Sequence, residues 1–240
     1  MVVKNPKRIA LWTGPRDLSM LLFKSFRQRT DANLVDEPLF PYYVGYTGLD
    51  VPFRKELFAK NEHDPIKIID ILTKCDLNKE VLVVKNKSSQ IVGLNWEFML
   101  DFKNVILISE PSSMIKSNIP ENEYQTLIDC CYEIQYQQVL YLMQYGIEPI
   151  VLDLQRLLKH PEAVLDILCK KLNLDFDKSM LSLSNKLGEL SLSTSNWATN
   201  VLDLDNFKDA QIDATILPNK YSELEARCQI FYQRLKIYAL

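Results

Sequence analysis

Short, almost unbroken apolar runs alternate along this chain with longer stretches in which apolar residues recur every three or four positions. Arg8–Thr13 (RIALWT), Asn33–Glu37 (NLVDE), Val81–Lys85 (VLVVK), Val105–Ser109 (VILIS) and Pro149–Leu154 (PIVLDL) read as strands. Their near-continuous hydrophobicity is that of strands covered on both faces. Helical periodicity follows at Leu18–Arg29, with Leu18, Leu21, Leu22 and Phe26 on one stripe. Shorter helices are predicted at Val51–Lys60 and Pro65–Cys75, and the longest at Glu121–Tyr145, stopped by Gly146. Another opens at Pro161 and runs to Leu172, and a charged amphipathic helix spans Tyr221–Tyr238. The aromatic stretch FPYYVGYTGL reads as irregular, with Phe40, Tyr42, Tyr43 and Tyr46 either lining an acceptor pocket or filling a loop. Residues 182–218 carry Ser, Asn and Asp with weak periodicity and read as a loop or lid. Strands alternating with helices predict an α/β fold: one domain over residues 1–240, a three-layer sandwich with a central, mainly parallel sheet.

Composition narrows the partners. Six glycines in 240 residues leave little material for flexible linkers, and a net charge of −3 supplies no basic field for nucleic acid. The opening MVVKNPKRIALW has no long apolar run, so neither a secretory signal nor a membrane span is expected there. Cys75, Cys130, Cys131, Cys169 and Cys228 are odd in number, irregularly spaced and without a CxxC pair, which fits buried free thiols in a reducing cytoplasm. His63 and His160 are far apart, which argues against zinc. Trp96 and Trp197 fall in weakly patterned stretches and could close the site. The closing helix, with Leu224, Cys228, Phe231 and Leu235 on one stripe, serves as a cover helix or a homodimer surface.

The chemistry concentrates after the first strand. Gly14, Pro15, Arg16, Asp17, Leu18 and Ser19 form a strand-to-helix turn. A helix N-terminus presents unpaired N–H groups and the positive end of its dipole, a setting that stabilises an anion. Arg16 adds a planar cation suited to phosphate or sulfate oxygens, and Ser19 adds a hydroxyl. The Gly-Lys-Ser/Thr ending of nucleotide-triphosphatase loops is absent, so an ordinary βα turn with a surface arginine is the competing explanation.

The run RIALWTGPRDLSMLLFKSFRQRTDANLVDEPLF resembles the opening of a bacterial sulfotransferase-like family: Trp, Gly-Pro-Arg, Ser, a helix ending in Arg, then Val-Asp-Glu-Pro. The likeness continues more weakly through Val81, Val105 and HPEAVLDILCKKLNLDFDKSML. It implies the P-loop-type sulfotransferase fold, with residues 14–19 holding the 5′-phosphosulfate of 3′-phosphoadenosine 5′-phosphosulfate (PAPS). The family grips the nucleotide 3′-phosphate with an arginine and a later serine; the matching positions here are Ser109 and Ser117, so the cation is missing. A charge-assisted phosphate contact contributes about 1.5–3 kcal/mol, so its loss is expected to weaken PAPS binding about 10–100-fold. The resemblance also implies a lysine followed by a histidine base on the third strand, and here Lys85 precedes Asn86, an amide that cannot accept a proton. Lys85 could still stabilise the bridging oxygen of a transferred group. Asp36 and Glu37, at the carboxyl end of the second strand, are candidate bases or partners of Arg16 or Arg54. The expectation is sulfuryl transfer from PAPS to a hydroxyl or amine of a small-molecule acceptor, with no metal. The alternative is a diverged protein on the same scaffold that binds another anionic ligand or a protein partner.

Overall fold

In the computed structural model, which describes residues 6–16, 18–120, 122–183, 206–207 and 216–240, the first apolar run becomes the central strand of a five-stranded, all-parallel sheet. β1 (Lys7–Thr13) lies between β3 (Val81–Lys87) and β4 (Lys103–Ile108), with β2 (Ala32–Asp36) and β5 (Ile150–Asp153) outside, in the order β2-β3-β1-β4-β5. Strand pleating sends alternate residues of β1 to opposite faces, and both are apolar. Ile9 and Leu11 meet Leu21, Leu22 and Phe26 of α1 (Ser19–Arg27) and Val164, Leu165 and Leu168 of α8 (Pro161–Lys171). Ala10 and Trp12 face the opposite layer, built from α2 (Phe40–Thr47), α4 (Pro65–Lys74), α5 (Pro111–Asn118), α6 (Tyr132–Gln144) and α9 (Ser222–Lys236). The remaining helices are α3 (Arg54–Lys60) and α7 (Leu154–Lys159). The protein is therefore the three-layer α/β sandwich that the hydrophobic pattern predicts.

Two elements depart from the sequence expectation. The aromatic stretch at Phe40 is helical rather than irregular, because Pro41 suits the first turn and Gly48, at φ 71, supplies the left-handed residue that ends α2. The long helix forecast from Glu121 begins only at Tyr132. Before it, Asn122 Oδ1 accepts from the Tyr124 N–H and Asp129 Oδ2 from the Thr126 N–H and hydroxyl, local bonds that compete with helix. Cys131, at φ 67, then breaks the helical path. Glu121 and most of the 182–218 segment, including Trp197, lie outside the described residues. Gly146, at φ 71, ends α6 as expected, its N–H donating to Met143 O.

Trp12 and Asn104 tie the central strands together within this core. The indole Nε1–H donates to Asn104 Oδ1 at 2.8 Å, and Asn104 Nδ2 donates to Met99 O and Phe102 O at 2.8 and 2.9 Å. Asn104→Ala is expected to destabilise by about 2–3 kcal/mol, because it strands one buried donor and two buried carbonyls. A shift of the urea midpoint with an unchanged m-value would report that loss.

Candidate functional site

Between β1 and α1 the backbone turns left-handed twice. Arg16 has φ 47 and Leu18 φ 57, a region costly for residues with a Cβ. Left-handed residues at a turn help to form the main-chain concavities that bind anions. Strain at a strand–helix junction is a pointer to function. Gly14, Pro15 and Ser19 are buried, Arg16 and Leu18 half-buried; Asp17 lies outside the described residues. The left-handed conformation thus falls on Arg16 and Leu18, where the sequence offers no glycine to announce it.

Sheet order explains why this turn faces a crevice. The chain leaves β1 toward β2 and leaves β4 toward β5, so the two connections diverge above adjacent strands. That topological switch point is where parallel sheets gather ligands. Ser117 of α5 reaches across it: its Oγ lies 3.2 Å from Arg16 O and 2.8 Å from Met114 O. Residues 14–19 and Ser117, distant in sequence, therefore adjoin. Ser109, at the end of β4, is buried, and its carbonyl accepts from the Tyr132 hydroxyl at 2.8 Å. The Glu110 carboxylate accepts from Gln229 of α9. Burial, then Asp153 and Glu110, push the Tyr232 phenol up.

A second cluster occupies the carboxyl ends of β2 and β3. Lys85, 4% exposed, places Nζ 2.8 Å from Asp36 Oδ1 and 3.3 Å from Glu37 Oε1, over the Phe23 ring at 5.7 Å. Asp36 is register partner to Lys85, and the Glu37 N–H donates to Lys85 O at 2.7 Å with Glu37 at φ 46. Burial pushes the Asp36 carboxyl above its ordinary range, an effect Lys85 only partly offsets. Glu37 goes the other way: burial raises it, but Lys87, Lys85 and a hydrogen bond from Gln90 outweigh that and hold it at about 2. Two adjacent carboxyls thus have affinities for a proton driven apart, the usual preparation for distinct roles.

Asn86 turns to the other face of the sheet. Its Oδ1 accepts from the Leu39 N–H at 3.1 Å, and it is buried, so its carbonyl oxygen organises the β2–α2 turn. Arg54 pairs with neither Asp36 nor Glu37; its guanidinium lies 3.4 and 3.3 Å from the carbonyls of Gly48 and Leu49. Tyr42 is buried with its hydroxyl donating to Val92 O at 2.9 Å, whereas Tyr46 is exposed beside it, ring centroids 5.6 Å apart. Trp96 packs edge-on against Tyr141 at 5.7 Å, and His63 against Phe58 at 5.3 Å. Gln90 belongs to none of the sequence motifs singled out above, yet it joins this cluster. Its Oε1 accepts from the Lys87 N–H at 3.0 Å and its Nε2 donates to Glu37 Oε2 at 2.8 Å. A glutamine three residues after a strand end, reaching back to the preceding N–H, is half of a capping box, and that spacing was the available signal.

The sulfotransferase-domain family profile matches residues 7–209 of this chain. The chain belongs to the sulfotransferase-domain family. It is 30% identical over 232 residues to the branched-chain-amino-acid aminotransferase-like protein 2 of Arabidopsis thaliana, covering 95% of this chain and 41% of that protein. The chain thus spans about two fifths of the length of the curated relatives it matches. Among solved structures it is similar to the sulfotransferase domain of the Synechococcus PCC 7002 olefin synthase, with a TM-score of 0.61, 16% identity and 96% of each chain covered. A sulfotransferase from Alicyclobacillus acidocaldarius gives a TM-score of 0.56 at 12% identity, covering 98% of this chain and 96% of that one. These likenesses carry the shared fold. No helix among the described residues is long and apolar enough to cross a membrane.

Proposed function

We propose that this sulfotransferase-domain protein transfers a sulfuryl group from PAPS to a hydroxyl or amine of a small metabolite. The observation that carries the reading is the 14–19 turn, left-handed at Arg16 and Leu18 and facing Ser117 across the switch crevice. That concavity fits the anionic 5′ end of a nucleotide: main-chain amides, the α1 dipole and Arg16 share the charge. The 3′ end would meet hydroxyls at Ser109 and Ser117. When bound, PAPS would supply the activated sulfuryl group. This chain's own part is positioning and electrostatics, as in phosphoryl transfer. Asp36, whose burial raises its proton affinity, takes the acceptor's proton. Glu37 stays charged and holds Lys85 in place. A reducing, cytoplasmic setting belongs to the same reading, supported by five free cysteines, four of them buried.

Calorimetry with 3′-phosphoadenosine 5′-phosphate (PAP) tests this. Micromolar binding is expected, and Arg16→Ala should weaken it about 10–100-fold. A folded wild-type protein that ignores millimolar PAP would overturn the proposal. The second reading, a scaffold that binds an anionic ligand without turnover, draws on Lys85 being paired to two carboxylates and on Asn86 being committed to Leu39. PAP binding without sulfuryl transfer to any of a panel of hydroxyl and amine acceptors would favour it.

A further inference from the structure

Alternation along β3 sends Lys85 and Lys87 to the face that carries α1 and sends Asn86 to the other. The two lysines are not equivalent. Lys85 is buried and tied to Asp36 and Glu37 at 2.8 and 3.3 Å. Lys87 is half-buried, and among the described residues no carboxylate lies within ion-pair distance of its ammonium. In the β1–β3 register Lys87 is paired with Thr13, the last residue before Gly14. Neighbouring strands run about 4.8 Å apart, so a four-carbon stem on that strand is long enough to reach the 14–19 turn. The main chain there is held from below: Gln90 Oε1 accepts from the Lys87 N–H while its Nε2 holds Glu37 Oε2.

We propose that the Lys87 ammonium is a second side-chain cation, beside Arg16, that contacts the anionic group held at the 14–19 turn, with Gln90 as its positioning residue. The inference rests on the reading of that turn as the anion site. Lys85 is the buried counter-charge that organises Asp36 and Glu37, and Lys87 is the working cation. The charge count supports the division. Two lysines face two carboxyls, and burial pushes one of those carboxyls, Asp36, toward its neutral form.

The test is calorimetry on the full chain, titrating PAP and, separately, inorganic pyrophosphate into wild type, Lys87→Gln, Lys87→Arg and Gln90→Leu, with melting temperatures as a check on folding. Lys87→Gln should stay folded and weaken PAP binding about 10–100-fold, with a lower melting temperature because Lys87 also helps to hold Glu37 ionised. Lys87→Arg keeps the charge and should stay within about threefold of wild type. Gln90→Leu should fall between them, its partial loss reversed by no change in ionic strength. If Lys87→Gln binds PAP as wild type does while Arg16→Ala does not, the assignment of Lys87 is wrong and the turn remains the nucleotide site. If folded wild type does not bind PAP, the proposed function falls, and pyrophosphate decides for Lys87. Tighter pyrophosphate binding by wild type than by Lys87→Gln sustains the inference; equal or absent binding ends it.

Discussion

Replacing Lys85 with methionine is expected to destabilise the protein by about 3–5 kcal/mol near neutral pH, the cost of leaving buried charge without its partner. Methionine preserves most of the stem that packs over Phe23, so the loss is of charge rather than of volume. Asp36 and Glu37 would remain at the sheet edge, with Asp36 deprived of its 2.8 Å contact. Asp36, already raised by burial, would then have a folded-state affinity for protons further above that of the unfolded chain, while Lys87 and Gln90 still act on Glu37. A group with a raised folded pKa contributes stability below its unfolded pKa and loses it as pH rises through the folded value. The variant should therefore be more stable at about pH 5 than at about pH 7.5, and guanidinium midpoints at the two values check this. Adding Asp36→Asn to Lys85→Met should recover part of the loss, since it removes the stranded charge. Equal midpoints for wild type and Lys85→Met at neutral pH would mean that the cluster is solvated.

Most of the architecture could be read from the chain because each strand states its environment directly. Runs such as VLVVK and VILIS have no solvent face, so a sheet covered on both sides was forced, and their ends moved by only a residue or two. Helices were less legible where a side chain competes with the backbone. Asn122 and Asp129 shortened the helix expected from Glu121, and neither bond is visible as periodicity. The aromatic stretch at Phe40 hid its helix for a different reason: it is apolar on several sides, so no stripe marks it. The candidate site divides along the same line. Gly14–Ser19 stood out because a strand–turn–helix junction has its own grammar, and Asp36, Glu37 and Lys85 because charges at the ends of apolar runs are conspicuous. Which charges meet is a matter of register. Lys85 beside Asp36, and Lys87 beside Thr13, follow from strand pairings that no single segment encodes. Asn86 and Lys85 are neighbours in sequence, yet pleating sends them to opposite faces, so they cannot serve one reacting atom together.

Glu37→Gln is expected to cost about 2–3 kcal/mol near pH 7. Burial alone would raise the Glu37 carboxyl, yet Lys87, Lys85 and the Gln90 amide hold it at about 2, against an ordinary 4.5. Each pKa unit corresponds to about 1.4 kcal/mol, so the ionised form contributes about 3 kcal/mol to folding at neutral pH. Because the folded value is depressed, that contribution is present above about pH 4.5 and is lost as pH falls toward 2. Glutamine keeps an acceptor for Gln90 Nε2 but offers no charge to either lysine. The gap between wild type and Glu37→Gln should therefore close across the same acid interval. Asp36 carries the opposite sign. Burial raises its carboxyl despite Lys85, so its ionised form weighs against folding as pH rises through the folded value. Asp36→Asn should consequently be close to neutral at pH 7 in urea unfolding, though it lies one residue away and touches the same lysine. Equal losses in the two variants would show that the carboxyls share one role, and the split between a fixed anion and a proton-accepting base would have to be abandoned.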